Sequence, residues 1–354
     1  MGIGSCFPDN FLDNLRFVKY RFTLELLEQT RLPKYKGTVL RSGCGKQLKD
    51  ICCTYDHQRH NAECRSCEHN HSCIYSYLFE TPGPPNAQYL DSQRDVPRPY
   101  IIEPSPDIRQ SLYSHERLDF DLILFGKAIE YFPYFLVSFI NMGESKDRNV
   151  GLGDMRSKYR VLRVTTVDIY DEDWHIVYTP HRELRGEYIE TDCISARDIL
   201  ESMPGYPISN QLHIRFLTPM NIRIQRHKSN DNDHADIGLK KARLVEALDF
   251  PSLLRPVLKQ ISAMTYFHCQ SDTLDTLKVR ELLSKAEQVQ ILKDKTHVKS
   301  FHSVKRTIKG FLGDVIYKGD FEPFLPFMYI GQWIYPSKNR VIGFGKYELI
   351  FRMK

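Results

Sequence analysis

Two stretches of this chain repeat one arrangement, and the repetition limits the folds open to it. Pro133-Tyr134-Phe135 and Pro323-Phe324-Leu325 each begin an aromatic helical segment. Gly151-Leu152-Gly153 and Gly343-Phe344-Gly345 follow 18 and 20 residues later, each leading into a strand. Internal self-similarity of this kind predicts two domains of one type. The elements around each copy agree. In the first half, Val18, Tyr20, Phe22, Leu24 and Leu26 alternate with Lys19, Arg21, Thr23 and Glu25, predicting a half-buried strand over 17–27. A helix over 38–52 follows, then strands at 100–103 and 118–124. A helix over 127–142, with Pro133 imposing a kink or restart, leads to a strand over 158–167.

In the second half, Leu212, Ile214 and Phe216 begin a strand running to Ile224. The helix after Pro251 carries Leu254, Val257, Leu258, Ile261 and Met264 at helical spacing. A strand over 314–318, a turn at Gly319-Asp320, a helix over 323–333 and a last strand through Tyr347, Leu349, Phe351 and Met353 complete the half. Residues 168–207 show no period and read as a linker, and 228–236 as a polar loop. The strand–helix–strands–helix–strand order predicts an α+β class of tandem ferredoxin-like (RRM-like) domains, residues 1–205 and 206–354. His268 reads as a satisfied buried or capping histidine.

With 354 residues, 42% of them apolar, the chain can bury two cores. The formal net charge is only +5, yet residues 291–318 hold seven Lys or Arg (293, 295, 299, 305, 306, 309, 318) against Asp294 and Asp314. A local excess of that size is the footprint of a polyanion partner, although a solvated lysine-rich loop has the same composition. No run of 18 apolar residues exists, no charged-then-apolar leader is found, and Cys6 stands where myristoylation needs Ser or Thr. The expectation is a cytoplasmic protein with no membrane partner.

Cys52, Cys53, Cys64, Cys67 and Cys73 cluster, with His69 and His71 in the last gap. Cys64 and Cys67 form a C-x2-C pair, and with Cys53 and Cys73 they offer four thiolates to one ion. Structural zinc is the first expectation, an iron–sulfur cluster the second and no metal the third. Near the C-terminus, Tyr335 to Gly345 is a basic loop in which Gly343 and Gly345 remove two side chains while Lys338, Arg340 and Lys346 add charge. That combination suits an anionic backbone lying across it.

The runs Gly310-Phe311-Leu312-Gly313, Tyr317 to Pro326, Gly331-Gln332-Trp333 and Gly343 to Leu349 resemble the C-terminal signature of the CRISPR-associated RAMP endoribonucleases, which process CRISPR precursor RNA. Leu32 to Arg41, Cys73 to Glu80, Arg98 to Pro104, Leu124-Phe125-Gly126 and Gly151-Leu152-Gly153 match in order, so the likeness spans nearly the whole chain. The resemblance implies two RAMP domains, the first with the cysteine-rich insertion. It implies a metal-independent endoribonuclease that binds CRISPR repeat RNA, cuts it by attack of a ribose 2′-hydroxyl and yields mature crRNA. Other CRISPR effector-complex subunits are implied as partners, and no cofactor for catalysis.

In the family the first helix sits beside the RNA, which points to Arg41 and Lys46. Lys305, Arg306, Lys309, Arg340, Gly343, Gly345 and Lys346 are the further RNA-binding candidates. Relatives often carry histidine at the place of Tyr335 and glycine at that of Ser337, so this chain departs at both. Lys338 is retained as charge stabiliser, Tyr335 can donate a proton or orient the ribose, and His302, in the basic run, is the leading base. His297, His57 and His60 follow. The alternative is a catalytically inactive RAMP subunit that binds the crRNA end within an interference complex. A metal-dependent nuclease or zinc adaptor is a third class, without an Asp/Glu pair at metal-ligand spacing to support it.

Overall fold

The computed structural model describes residues 7–53, 64–83, 96–180, 192–204, 210–224, 243–244, 248–303 and 306–350. Packing groups residues 1–203, 262–274 and 341–343 into one unit and 204–261, 275–340 and 344–354 into another. In the first unit β1 (Arg16–Leu26), α1 (Gly37–Cys52), β2 (Tyr100–Pro104), β3 (Arg117–Phe125), α2 (Phe132–Glu144), β4 (Tyr159–Val167) and β5 (Asp173–Tyr178) succeed one another. The antiparallel sheet has the order β2-β3-β1-β4-β5. The alternation in β1 works as expected. Tyr20, Phe22 and Leu24 face the helices, with Tyr20 stacked on Phe132 at 4.0 Å and Phe22 stacked on its cross-strand partner Phe120 at 4.8 Å. Pro133 acts as a restart. A 3-10 turn over Gly126–Tyr131 precedes α2, where Pro133 sits in the first turn and its missing N–H costs nothing.

The second unit runs β6 (Gln211–Met220), α3 (Phe250–His268, residues 262–268 of it grouped with the first unit), α4 (Thr276–Ala286), β7 (Gln290–Asp294), β8 (His297–Ser303), β9 (Arg306–Lys318), α5 (Leu325–Ile334) and β10 (Tyr347–Ile350). Its sheet order is β7-β9-β6-β10, with β8 also pairing β9. In each sheet the strand just before the second helix (β3, β9) lies between the first strand and the strand that follows the first helical segment (β2, β7), and the strand after the second helix lies on the first strand's far side; β8 is an addition that pairs only with β9. That shared order is the ferredoxin-like topology, twice. Leu212, Ile214 and Phe216 of β6, Val315 and Tyr317 of β9, and Tyr347 and Leu349 of β10 turn to the core.

Two expectations need correction, and one helix comes in addition to those expected. The supposed linker over 168–207 contains β5, a bridge of Ile194–Ser195 to β1, and a short helix at Ala196–Glu201 closed by a Ser195/Asp198 capping box. Helix α4 went unnoticed, although Asp275 caps it by accepting from the Leu277 and Lys278 N–H groups at 2.8 and 2.9 Å. The lysine-rich stretch is sheet rather than loop: β9 has 13 residues and begins at Arg306, not Asp314. His268 is buried, with Nδ1 3.1 Å from the Tyr77 hydroxyl and Nε2 2.6 Å from the Pro97 carbonyl, so the proton sits on Nε2.

On the other face of β1, Lys19 is 2% exposed and its ammonium lies 2.9 Å from Asp121, beside Asp171, and 3.8 Å from Glu103. Arg21 grips both oxygens of Asp121, at 3.0 and 3.2 Å. Burial pulls the Lys19 pKa down, but Glu103, Asp121 and Asp171 outweigh it and hold the ammonium above the usual lysine range. A raised lysine contributes its full stability below its unfolded pKa near ~10.4 and loses it only as pH climbs past the folded value. Lys19→Met therefore destabilises the protein by about 3–5 kcal/mol, equally at pH 6 and pH 9, because buried carboxylates lose their partner. Urea denaturation at both pH values checks this, with Asp171→Asn, at an exposed carboxylate, costing under about 1 kcal/mol.

Candidate nucleic-acid interface

Strand β9 pairs with β6 only from Phe311 onward, so residues 306–310 continue with β8 alone as a two-stranded arm. Lys299 stands opposite Gly310, Lys309 opposite Ser300, His302 opposite Thr307 and Ser303 opposite Arg306. By alternation Ser300 and Lys309, directly opposite each other, fall on one face of the arm. Lys309, Lys299 and His297 are exposed. The Lys299 ammonium lies 5.6 Å from the Phe301 ring centre, and that ring meets the Phe344 ring edge-on at 5.6 Å. The arm is thus tied to the glycine-containing loop by aromatic packing. Lys305, His57 and His60 lie outside the described residues, and His302 and Arg306 are described by their backbone alone.

The loop begins where α5 ends. Tyr335 caps that helix in the left-handed region, φ 56°, with its N–H on the Gly331 carbonyl at 3.2 Å. A bulky residue there is an outlier, since glycine is the usual choice. Its side chain is only 2% exposed. The phenol expected as an open proton donor is a buried anchor of the turn. Arg340, expected as a surface contact, is 5% exposed, and its Nε donates to the Ile334 carbonyl at 2.9 Å. It places a cation on the last carbonyls of α5, where the helix dipole is negative.

Lys338 is exposed and Lys346 half-buried, and the end of β6 positions both. The Lys338 N–H donates to the Asn221 carbonyl at 3.0 Å, and the Asn221 N–H donates to Ser337 Oγ at 2.9 Å. The Lys346 N–H donates to Thr218 Oγ1 at 2.8 Å, while the Lys346 carbonyl accepts from Leu217 and Thr218 at 3.0 and 3.2 Å. The Asn221 side chain closes the frame, its Nδ2 donating to the Lys309 carbonyl at 2.7 Å. Lys309, Lys338 and Lys346 are therefore hung from one segment, residues 217–221. None of its members is charged or catalytic in type, which is why sequence reading passed over them.

The two glycines serve differently from expectation. Gly345 has φ 98°, and a Cβ there would run into Ser337. Gly343 has φ 89°, and its Cβ would meet Pro104 Cδ at 2.8 Å. Protein, not an open approach, fills the space their missing side chains leave. Arg41 and Lys46 belong to the first unit. Lys46 is exposed, whereas the Arg41 guanidinium is half-buried over the Phe79 ring at 5.3 Å. His213, also unforeseen, bonds Asp314 at 2.8 Å; Arg215 bonds the same carboxylate at 3.0 Å and Glu348 at 3.1 Å. Burial pushes the Asp314 carboxyl up, and the His213 and Arg215 bonds more than reverse it.

Cys53, Cys64, Cys67 and Cys73 are half-buried, and no disulfide joins the described cysteines. Burial, with Cys73 and Cys53 nearby, pushes the Cys52 thiol up to about 12. The donor types suit zinc, but among the described residues no three His, Cys, Asp or Glu side chains gather about one point.

Residues 214–347 match the family model of the CRISPR-associated endoribonuclease Cas6, and residues 15–189 match an N-terminal domain model, AF_1859_N. A search of curated proteins finds no match. Among solved structures, the protein of a Cas6 product complex aligns over 94% of this chain and 100% of its own, with TM-score 0.54 and 14% identity. A chain of a partial Cas6–RT–Cas1–Cas2 complex aligns over 96% of this chain and 47% of its own, with TM-score 0.52 and 12% identity. At such identities the likeness is one of fold. Among the described residues no helix is long and apolar enough to cross a membrane.

The two loop cations separate in a melting experiment. Arg340→Ala removes a buried donor from a helix end and lowers stability by about 1–3 kcal/mol. Lys338→Ala, at an exposed position, stays within about 0.5 kcal/mol of the parent. Equal losses would contradict the roles assigned to them.

Proposed function

Because this chain belongs to the Cas6 family of CRISPR-associated endoribonucleases, we propose that the frame of Lys309, Lys338 and Lys346 holds CRISPR repeat RNA and that the protein cuts it without a metal ion. The observation behind this reading is that three basic segments hang from residues 217–221 within the stretch that matches the family. Exposed lysines on fixed backbone offer phosphate contacts without first having to order a loop. Lys305 and Arg306 of the same basic run, and Arg41 and Lys46 of α1, are further contacts to the RNA backbone in this reading. Such binding weakens steeply with salt.

In the reaction, the 2′-oxygen attacks the adjacent phosphorus as a general base removes its proton. The bond to the 5′-oxygen breaks, that oxygen is protonated, and a 2′,3′-cyclic phosphate remains. His302 is the base in this reading, since it belongs to the basic run and stands on β8 opposite Thr307, two residues from Ser300, the cross-strand partner of Lys309. Lys338 offsets the charge that develops on the non-bridging oxygens. Tyr335 contributes by holding the turn that presents Lys338. The cysteine segment, with zinc or without it, is structural here, and other CRISPR complex subunits receive the crRNA product.

A second reading has the protein bind crRNA without cutting it. The burial of Tyr335, at a place where the resemblance leads one to expect histidine, favours that reading.

Labelled repeat RNA incubated with the protein in EDTA, beside a substrate with a 2′-deoxy sugar at the cut site, decides between the two. Cleavage that survives EDTA and vanishes with the deoxy sugar is the expected result. His302→Ala then slows it by about 10²–10⁴-fold. Tight binding with no product from either substrate would establish the second reading instead.

A further inference from the structure

Asn221 is 2% exposed and bonds in three directions. Its backbone N–H and carbonyl hold Ser337 Oγ and the Lys338 N–H, and its side-chain amide holds the Lys309 carbonyl. The backbone half therefore fixes the loop to β6, and the side-chain half fixes β9 to the same point. An aliphatic residue at 221 would keep the first pair of bonds and lose the last. An aspartate would set a carboxylate against the Lys309 carbonyl with no proton to share. An amide buried among backbone groups is specific for this arrangement, since each of its polar atoms needs a partner.

We infer that Asn221 is a positioning residue for RNA cleavage. Its amide sets the separation between the strand bearing Lys309 and the loop bearing Lys338, so that the two cations engage RNA phosphates in one register. The inference rests on the RNA-cleaving function proposed above and adds to it a residue that touches neither phosphate nor ribose.

The test is a double-mutant cycle with Asn221→Ala and Lys338→Ala, read as single-turnover cleavage at saturating repeat RNA. Asn221→Ala is expected to slow cleavage by about 10–100-fold, the scale of an ångström-level misplacement. Its Kd for a 2′-deoxy repeat stays within about threefold of the parent. In the Lys338→Ala background the same change slows cleavage by less than about threefold, because the two residues act as one unit. Ser337→Ala keeps its Cβ and loses only the hydroxyl, which accepts from the Asn221 N–H and donates to the Lys338 carbonyl; it serves as the second variant if Asn221→Ala does not fold, and it slows cleavage by about 3–10-fold on the same scale. Independent, multiplicative losses in the double variant, or an unchanged rate in Asn221→Ala and Ser337→Ala, would overturn the inference.

Amide hydrogen exchange reads the same claim without RNA. In Asn221→Ala, or Ser337→Ala if the first does not fold, residues 306–312 and 335–340 are expected to exchange faster while the first sheet keeps its protection. Unchanged exchange in both segments overturns the positioning role even if the parent cleaves. Faster exchange with a parent that cuts no RNA overturns the proposed function and leaves the positioning intact.

Discussion

A strand that ends inside a folded protein leaves peptide N–H and carbonyl groups that must find partners. At the end of β6 those groups find them in the loops carrying Lys338 and Lys346, and the Asn221 side chain extends the same bonding to Lys309. The rest of the second unit follows from this requirement. The turn at Tyr335 must bring Ser337 to Asn221, so the chain accepts a left-handed tyrosine after α5. Arg340 satisfies the helix end that this turn exposes. Gly345 lets the returning backbone pass against Ser337. Backbone satisfaction and cation placement are one construction.

The two units share a strand order but use the faces of their sheets differently. In the first, Lys19 and Arg21 are spent on Asp121 and its neighbours, a closed set of charges that stabilises β1 and offers little to a ligand. In the second, Asp314 engages His213 and Arg215, while Lys299, Lys309 and Lys338 are exposed. The strand order is common to both units, and the placement of acids beside the cations differs between them.

Much of the fold was legible because its signals are local. Strand β1 is written in strict alternation, and Pro133 marks the start of α2. The pairing of the Pro-aromatic and Gly-x-Gly runs foretold the repetition of topology. What sequence reading missed depends on distant partners. The arm reads as a solvated loop, since lysine density hides a strand whose pairing partner lies across a turn. Arg340 and Lys338 look alike as loop cations, and only the fold buries one and exposes the other. Asn221 gave no signal, because its value lies in a backbone carbonyl nearly 90 positions away and a serine hydroxyl over 110 positions away.

The central claim is that RNA lies on the frame hung from residues 217–221. Photo-cross-linking of a repeat RNA to the intact protein, with the linked peptides identified by mass spectrometry, tests it most directly. Cross-links concentrated in residues 297–312 and 335–346 are the predicted result. Cross-links confined to the first sheet and the cysteine segment, with none in those two stretches, would contradict it.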